Sequence, residues 1–187
     1  ACLSLLILAL VTTLPLPITI TLIGDLDWGP VWAGYLASVL LGSAYLSIGL
    51  FVSARTDNPI VSLLGSVVLC GGLYLVGSEL FTDFFDSRSA ELLRQLGSGS
   101  RFDSITRGVI DLRDLVYYLS LVVAFLGLNI YSLEREGWAR FASAPRQRNW
   151  RIGIALLLAN LLLTNIWMER ISSLRWDVTE GKLHSIS

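Results

Sequence analysis

Uncharged apolar runs alternate with short charged links along this chain, and the runs have the length of membrane spans. The hydrocarbon core of a bilayer is about 30 Å thick and takes roughly 20 apolar residues in a helix. Five segments qualify or come close: 1–24, 31–52, 60–81, 115–133 and 150–168. Each is expected to be helical, because an unpaired backbone amide in lipid costs several kcal/mol. Pro15 and Pro17 are expected to bend the first span near its outer third. That run has no positively charged start and exceeds the ~7–15 apolar residues of a signal peptide. It is read as a span in the later part of a longer protein. In the second span Gly34, Ser38 and Gly42 recur every four residues on one face. This small-xxx-small pattern lets helices approach closely and predicts packing, not catalysis.

Charges in the links set the expected topology. The link 133–151 holds five arginines against Glu134 and Glu136 and is expected in the cytoplasm. The loop 24–30 holds Asp25 and Asp27 and no base, which fits the outside. Alternation then puts the turn 53–59, with Arg55 and Asp57, inside. The link 82–114 falls outside, the N-terminus of the chain inside and its C-terminus outside. Trp28, Trp32, Trp138, Trp150, Trp167 and Trp176 fall at the span ends, as an aromatic belt requires. Within the long outer link, 89–96 reads as a short amphipathic helix that Gly97-Ser98-Gly99-Ser100 breaks. Phe102, Ile105, Val109 and Ile110 then follow at helix-like spacing. An interfacial helix pair over about 86–112 accounts for both patterns, and an ordinary surface loop is the plainer alternative. The predicted fold is thus an all-α membrane protein of five transmembrane helices with a short interfacial helix pair on the outer side.

Composition supports this picture and narrows the chemistry. Apolar residues make up 53% of the 187 residues, and charged residues only 16%, where a soluble domain carries about 25%. A net charge of -1 gives no footprint for nucleic acid. Cys2 and Cys70 lie inside apolar runs, which argues against a disulfide framework or a zinc site. There is no G-x-x-x-x-G-K-[ST] phosphate loop and no G-x-S-x-G nucleophile elbow. The sole histidine, His184, is three residues from the end of the chain. Glu79 is the ionisable group nearest mid-span, about one turn from the outer boundary, where snorkelling or capping explains it more simply than a proton relay. Asp111, Arg113 and Asp114 stand at the start of the fourth span, where acids favour the helix dipole. No catalytic residue, metal or cofactor is expected, and an intramembrane enzyme or ion-coupled carrier is disfavoured.

Two stretches go beyond composition. One runs from Gly34-Tyr35-Leu36 to Gly49-Leu50-Phe51-Val52-Ser53, followed by Thr56-Asp57-Asn58-Pro59. The other is Phe102-Asp103-Ser104-Ile105-Thr106-Arg107-Gly108-Val109-Ile110-Asp111-Leu112-Arg113-Asp114. Together they resemble the later half of a permease of the second ABC exporter type. The chain is most similar to the gliding-motility-associated and copper-enzyme-maturation subgroup. Pro59 stands where that family often has Gln, and Ser38 where Gly is common. A third stretch, Arg175-Trp176-Asp177-Val178-Thr179-Glu180-Gly181-Lys182-Leu183-His184-Ser185-Ile186-Ser187, resembles the start of the auxiliary extracytoplasmic protein that accompanies such permeases, with His184 replacing the common Tyr.

The resemblance implies a division of the chain. Residues 1–137 would be the C-terminal part of the permease, with four spans and the outer interfacial helices. Residues 138–149 would be a basic cytoplasmic linker, and 150–187 a membrane anchor opening into the auxiliary domain. It also implies a bacterial inner-membrane transport subunit working by alternating access. A separate ABC ATPase would supply the energy, and a second permease copy would complete a dimer in the bilayer. Arg55 and Asp57 would contact the ATPase. Phe102, Arg107, Asp111, Arg113 and Asp114 would belong to the outer interfacial helices. The alternative is a non-transporting anchor or scaffold for an extracytoplasmic domain of a motility or secretion complex.

Overall fold

Backbone groups in hydrocarbon must find their partners within their own segment, and the apolar runs do so as helices. The computed structural model describes residues 2–78, 93, 97–138, 144–170 and 175–178. The first run forms α1 (Cys2–Thr13) and α2 (Pro15–Ile23). Next come α3 (Trp28–Ser53) and α4 (Pro59–Val76). A short helix, α5 (Ser98–Thr106), leads into the strand β1 (Val109–Asp111) and then α6 (Leu112–Trp138). Helix α7 (Ala144–Arg170) and the strand β2 (Arg175–Asp177) complete the order.

Four helical segments are long and apolar enough to cross a membrane: Cys2–Ile23, Trp28–Ser53, Pro59–Val76 and Leu112–Leu133. The apolar stretch of α7, Ile152–Trp167, is shorter. The side chains facing outward are those that belong in lipid. Helices α1, α2 and α4 bury no residue, and Ile60, Leu63, Leu64, Val67 and Val68 are all exposed on α4.

The first span breaks where Pro15 and Pro17 lack the N–H that would continue the ladder. The Leu14 N–H turns back to the Val11 carbonyl at 3.2 Å, a tightened turn. The Thr12 and Thr13 hydroxyls donate to the Ala9 and Leu10 carbonyls at 2.6 and 2.7 Å, repairing the same turn. Asp27 and Asn58 cap α3 and α4, each accepting a backbone N–H two residues on.

The core lies between α3 and α6. Ala33, Ala37, Ala44 and Ile48 are buried along one face of α3. The small side chains of Ala33, Ala37 and Ala44 make room for Tyr117 and Tyr118 of α6, which are buried against them together with Ile105 of α5. Helix α6 also packs on α7, where the Asn165 amide donates to the Ser120 hydroxyl at 2.8 Å. Such interhelical hydrogen bonds in membranes average ~0.6 kcal/mol.

Three sequence expectations change. The described part of the outer link is not a continuous helix: α5 ends at Thr106, and a turn at Gly108 sends the chain into β1. Gly108 has φ 88°, a left-handed conformation that glycine adopts without strain. Gly97 is extended, as a break requires, while Ser98-Gly99-Ser100 already form the first turn of α5. The basic linker expected at 138–149 is in part helical, since α7 begins at Ala144. The amphipathic segment 89–96 apart from Leu93, Glu79, residues 179–187 and the side chains of Trp138, Trp150 and Trp176 lie outside the described residues.

Candidate functional site

The polar residues of the outer link gather into a cap at one end of the helices. The cap is α5, β1, the first turn of α6 and β2, set along α3 from its N-terminal end to Tyr45. Two close backbone approaches seat it. Gly97 lies directly on Gly77 at the end of α4, and a Cβ on Gly99 would stand 2.6 Å from the Tyr74 carbonyl oxygen. A Cβ on Gly29 would run into the Val178 carbonyl beyond β2. Strands β1 and β2 pair antiparallel, Val109 with Asp177, Ile110 with Trp176 and Asp111 with Arg175. The Val178 N–H extends the ladder to the Gly108 carbonyl at 3.0 Å.

Inside the cap, Arg101 donates to the Asp114 carboxylate at 2.9 Å, with side chains only 11% and 9% exposed. The guanidinium also lies 4.5 Å from the centre of the Tyr117 ring, a cation–π contact. Arg101 sits on α5 and Asp114 in the first turn of α6, so the pair fastens α5 to α6 across β1. Asp111 caps α6 by accepting the Arg113 backbone N–H at 3.0 Å, and takes the Arg113 guanidinium at 2.8 Å on its other oxygen. Buried Ser98 ties three helices: its hydroxyl bonds that of Tyr45 at 2.8 Å, and its carbonyl accepts from the Tyr118 hydroxyl at 2.8 Å.

The cap therefore brings together Phe102, Asp111, Arg113 and Asp114, with Arg107 exposed on its rim. Acids at the start of α6 serve more than the helix dipole, since Asp114 is the counter-ion of a buried arginine. Arg101, Tyr45, Ser98, Tyr117 and Tyr118 were not singled out by sequence reasoning. A run of two tyrosines in the opening turns of a span, with an arginine sixteen residues before the first of them, was the available signal.

Arg55 and Asp57 lie at the far end of α3, in the turn leading to α4, and both are exposed. Arg55 stacks over Phe51 at 4.8 Å, and Phe51 meets Phe125 of α6 edge-on at 5.7 Å. On α3, Gly42 stands against Leu6, where a Cβ would come within 2.6 Å of a leucine methyl. Ser38 donates to the Gly34 carbonyl at 2.8 Å, and Gly34 itself faces open space.

The two charged pairs of the cap hold its shape, although the buried Nε of Arg101 has no hydrogen-bond acceptor among the described residues. Among the described residues no group of three or more His, Cys, Asp or Glu gathers to hold a metal ion. No protein-family model, no curated protein and no solved structure matches this chain.

Proposed function

We propose that the chain is the membrane-spanning part of an ATP-driven exporter of the ABC type, moving its substrate by alternating access. In this reading α7 is a fifth crossing of a bacterial inner membrane. The cap lies outside, and the turn between α3 and α4 and the arginine-rich link lie in the cytoplasm. A separate ATPase subunit pushes on that turn, and a second copy completes the pathway around a two-fold axis.

The observation that supports this reading is the form of the turn. It is short, exposed and capped, and it joins two membrane-length helices. Arg55 is braced on Phe51 and, through Phe125, on α6. A load applied there passes to α3 and α6 as rigid bodies, and these are the helices that carry the cap.

The test is isolation of the full chain from its native membrane. An ATPase should co-purify, and its hydrolysis should respond to the membrane part. Arg55→Glu should weaken that association by about tenfold or more, a cost of at least ~1.4 kcal/mol for reversing one contact charge. Wild-type preparations that hold no ATPase would refute the reading. The pairing of β2 with β1 favours a second reading, in which the helices are a scaffold that presents the following extracytoplasmic segment. That reading predicts an intact assembly whose partners include no ATPase.

A further inference from the structure

Three polar side chains interrupt the apolar stretch of α7, Ile152–Trp167: Asn160, Thr164 and Asn165. Two of them are spent inside the chain. The Thr164 hydroxyl donates to the Asn160 carbonyl at 2.8 Å. The Asn165 amide donates to the Ser120 hydroxyl of α6 at 2.8 Å and to the Leu161 carbonyl at 2.9 Å. The side chain of Asn160 is exposed and has no hydrogen-bond partner among the described residues. It stands at the middle of the stretch, which a fifth crossing would place deep in hydrocarbon. A primary amide there is costly until its donors and acceptor are met.

The residues around Asn160 have a heptad spacing. Gly153, Leu156, Asn160 and Leu163 follow at intervals of three, four and three residues, and all four are exposed. Helix α6 is met by other positions, since Leu157 stands against Gly127 and Asn165 bonds Ser120. Gly153 and Asn160 thus take a positions of a heptad, and Leu156 and Leu163 take d positions. Leucine at d suits a parallel pair of helices, and a single asparagine at a fixes its register and oligomer state. Gly153 lets the two backbones approach closely.

An apolar face alone would suit lipid, but the asparagine needs a polar partner at its own depth. Its carboxamide is donor and acceptor in one group, and so is complementary to itself about a two-fold axis, the commonest symmetry of homo-oligomers. Two copies inserted into one membrane share one orientation. Their α7 helices therefore run parallel and bring both Asn160 side chains to the same level.

We propose that α7 pairs with α7 of a second copy as a parallel left-handed coil, the two Asn160 amides hydrogen-bonding across the two-fold axis. The pairing rests on α7 being the fifth crossing of the proposed function, and it gives the two copies of that reading a seam. It requires no ATPase.

The experiment uses the full chain in its native membrane, with Cys2 and Cys70 replaced by alanine. Single cysteines are placed on the seam by Gly153→Cys, Leu156→Cys and Leu163→Cys. Ala155→Cys and Leu162→Cys, at positions also exposed but off the seam, are the controls. Oxidation should link the seam positions into dimers of the chain and leave the controls monomeric. Asn160→Leu should weaken the dimer by about tenfold, and Asn160→Gln should keep it. Equal linking at seam and control positions overturns the proposal, and so do seam cysteines that link to a different polypeptide or to nothing. The crossing is checked separately with an impermeant maleimide, which should label Gln147→Cys and Val178→Cys from opposite sides. Opposite labelling without seam links refutes the pairing and leaves the crossing standing; labelling of both from one side refutes both.

Discussion

Arg101→Ala will destabilise the protein by about 3–5 kcal/mol, because breaking a buried ion pair strands its partner's charge. Asp114 is 6% exposed, and its carboxylate cannot reach water when the guanidinium 2.9 Å away is removed. The loss of the stack on Tyr117 adds to the effect. Unfolding of the detergent-solubilised chain measures it, and Asp114→Ala should cost a similar amount. The double replacement Arg101→Met with Asp114→Leu should recover most of the loss, since a buried pair exchanged for apolar residues is often neutral. Equal and additive losses in the two single variants and the double would show that the pair does not act as a unit.

The second large effect is expected at Gly97. Its backbone has φ -80° and ψ 147°, which any residue adopts, so the requirement for glycine is one of space alone. A Cβ there would occupy the backbone of Gly77, and flexible side chains cannot give way because none is involved. Gly97→Ala should therefore lift α5 off the end of α4 and cost about 3 kcal/mol or more, the upper end of overpacking. Gly71→Ala is the matched control. Its Cβ meets nothing within 4 Å, and alanine in a helix interior is favoured over glycine by up to ~1 kcal/mol. If the two variants unfold alike, the close approach of Gly97 to Gly77 is not a support of the cap.

Four of the five expected spans were legible in the sequence because lipid imposes one solution on an uncharged apolar run. The break at Pro15 and Pro17 was legible for the same kind of reason, a missing N–H. The cap was not. Phe102, Ile105, Val109 and Ile110 share a helical spacing, yet Gly108 turns the chain after Thr106, and Val109 and Ile110 enter a strand. The three-residue strand β2 is too short to carry a periodic signal, and its partner lies far back in the chain. The contact of Arg101 with Asp114 crosses both the turn and β1, so no spacing rule for a single element could reveal it. Gly34, Ser38 and Gly42 form one stripe in sequence, but the bend of the first span puts Leu6 on Gly42 and leaves Gly34 beside a cleft.

In the proposed topology α3 and α4 cross the bilayer between the cap and the turn that holds Arg55 and Asp57. Cysteine labelling tests this most directly. With Cys2 and Cys70 replaced by alanine, single cysteines are placed at Arg107 on the cap and at Asp57 in the turn. Both side chains are exposed, so neither substitution disturbs packing. In intact cells a membrane-impermeant maleimide should modify position 107 and should reach position 57 only after the membrane is opened. Modification of both from the same side, or of position 57 alone from outside, would contradict it.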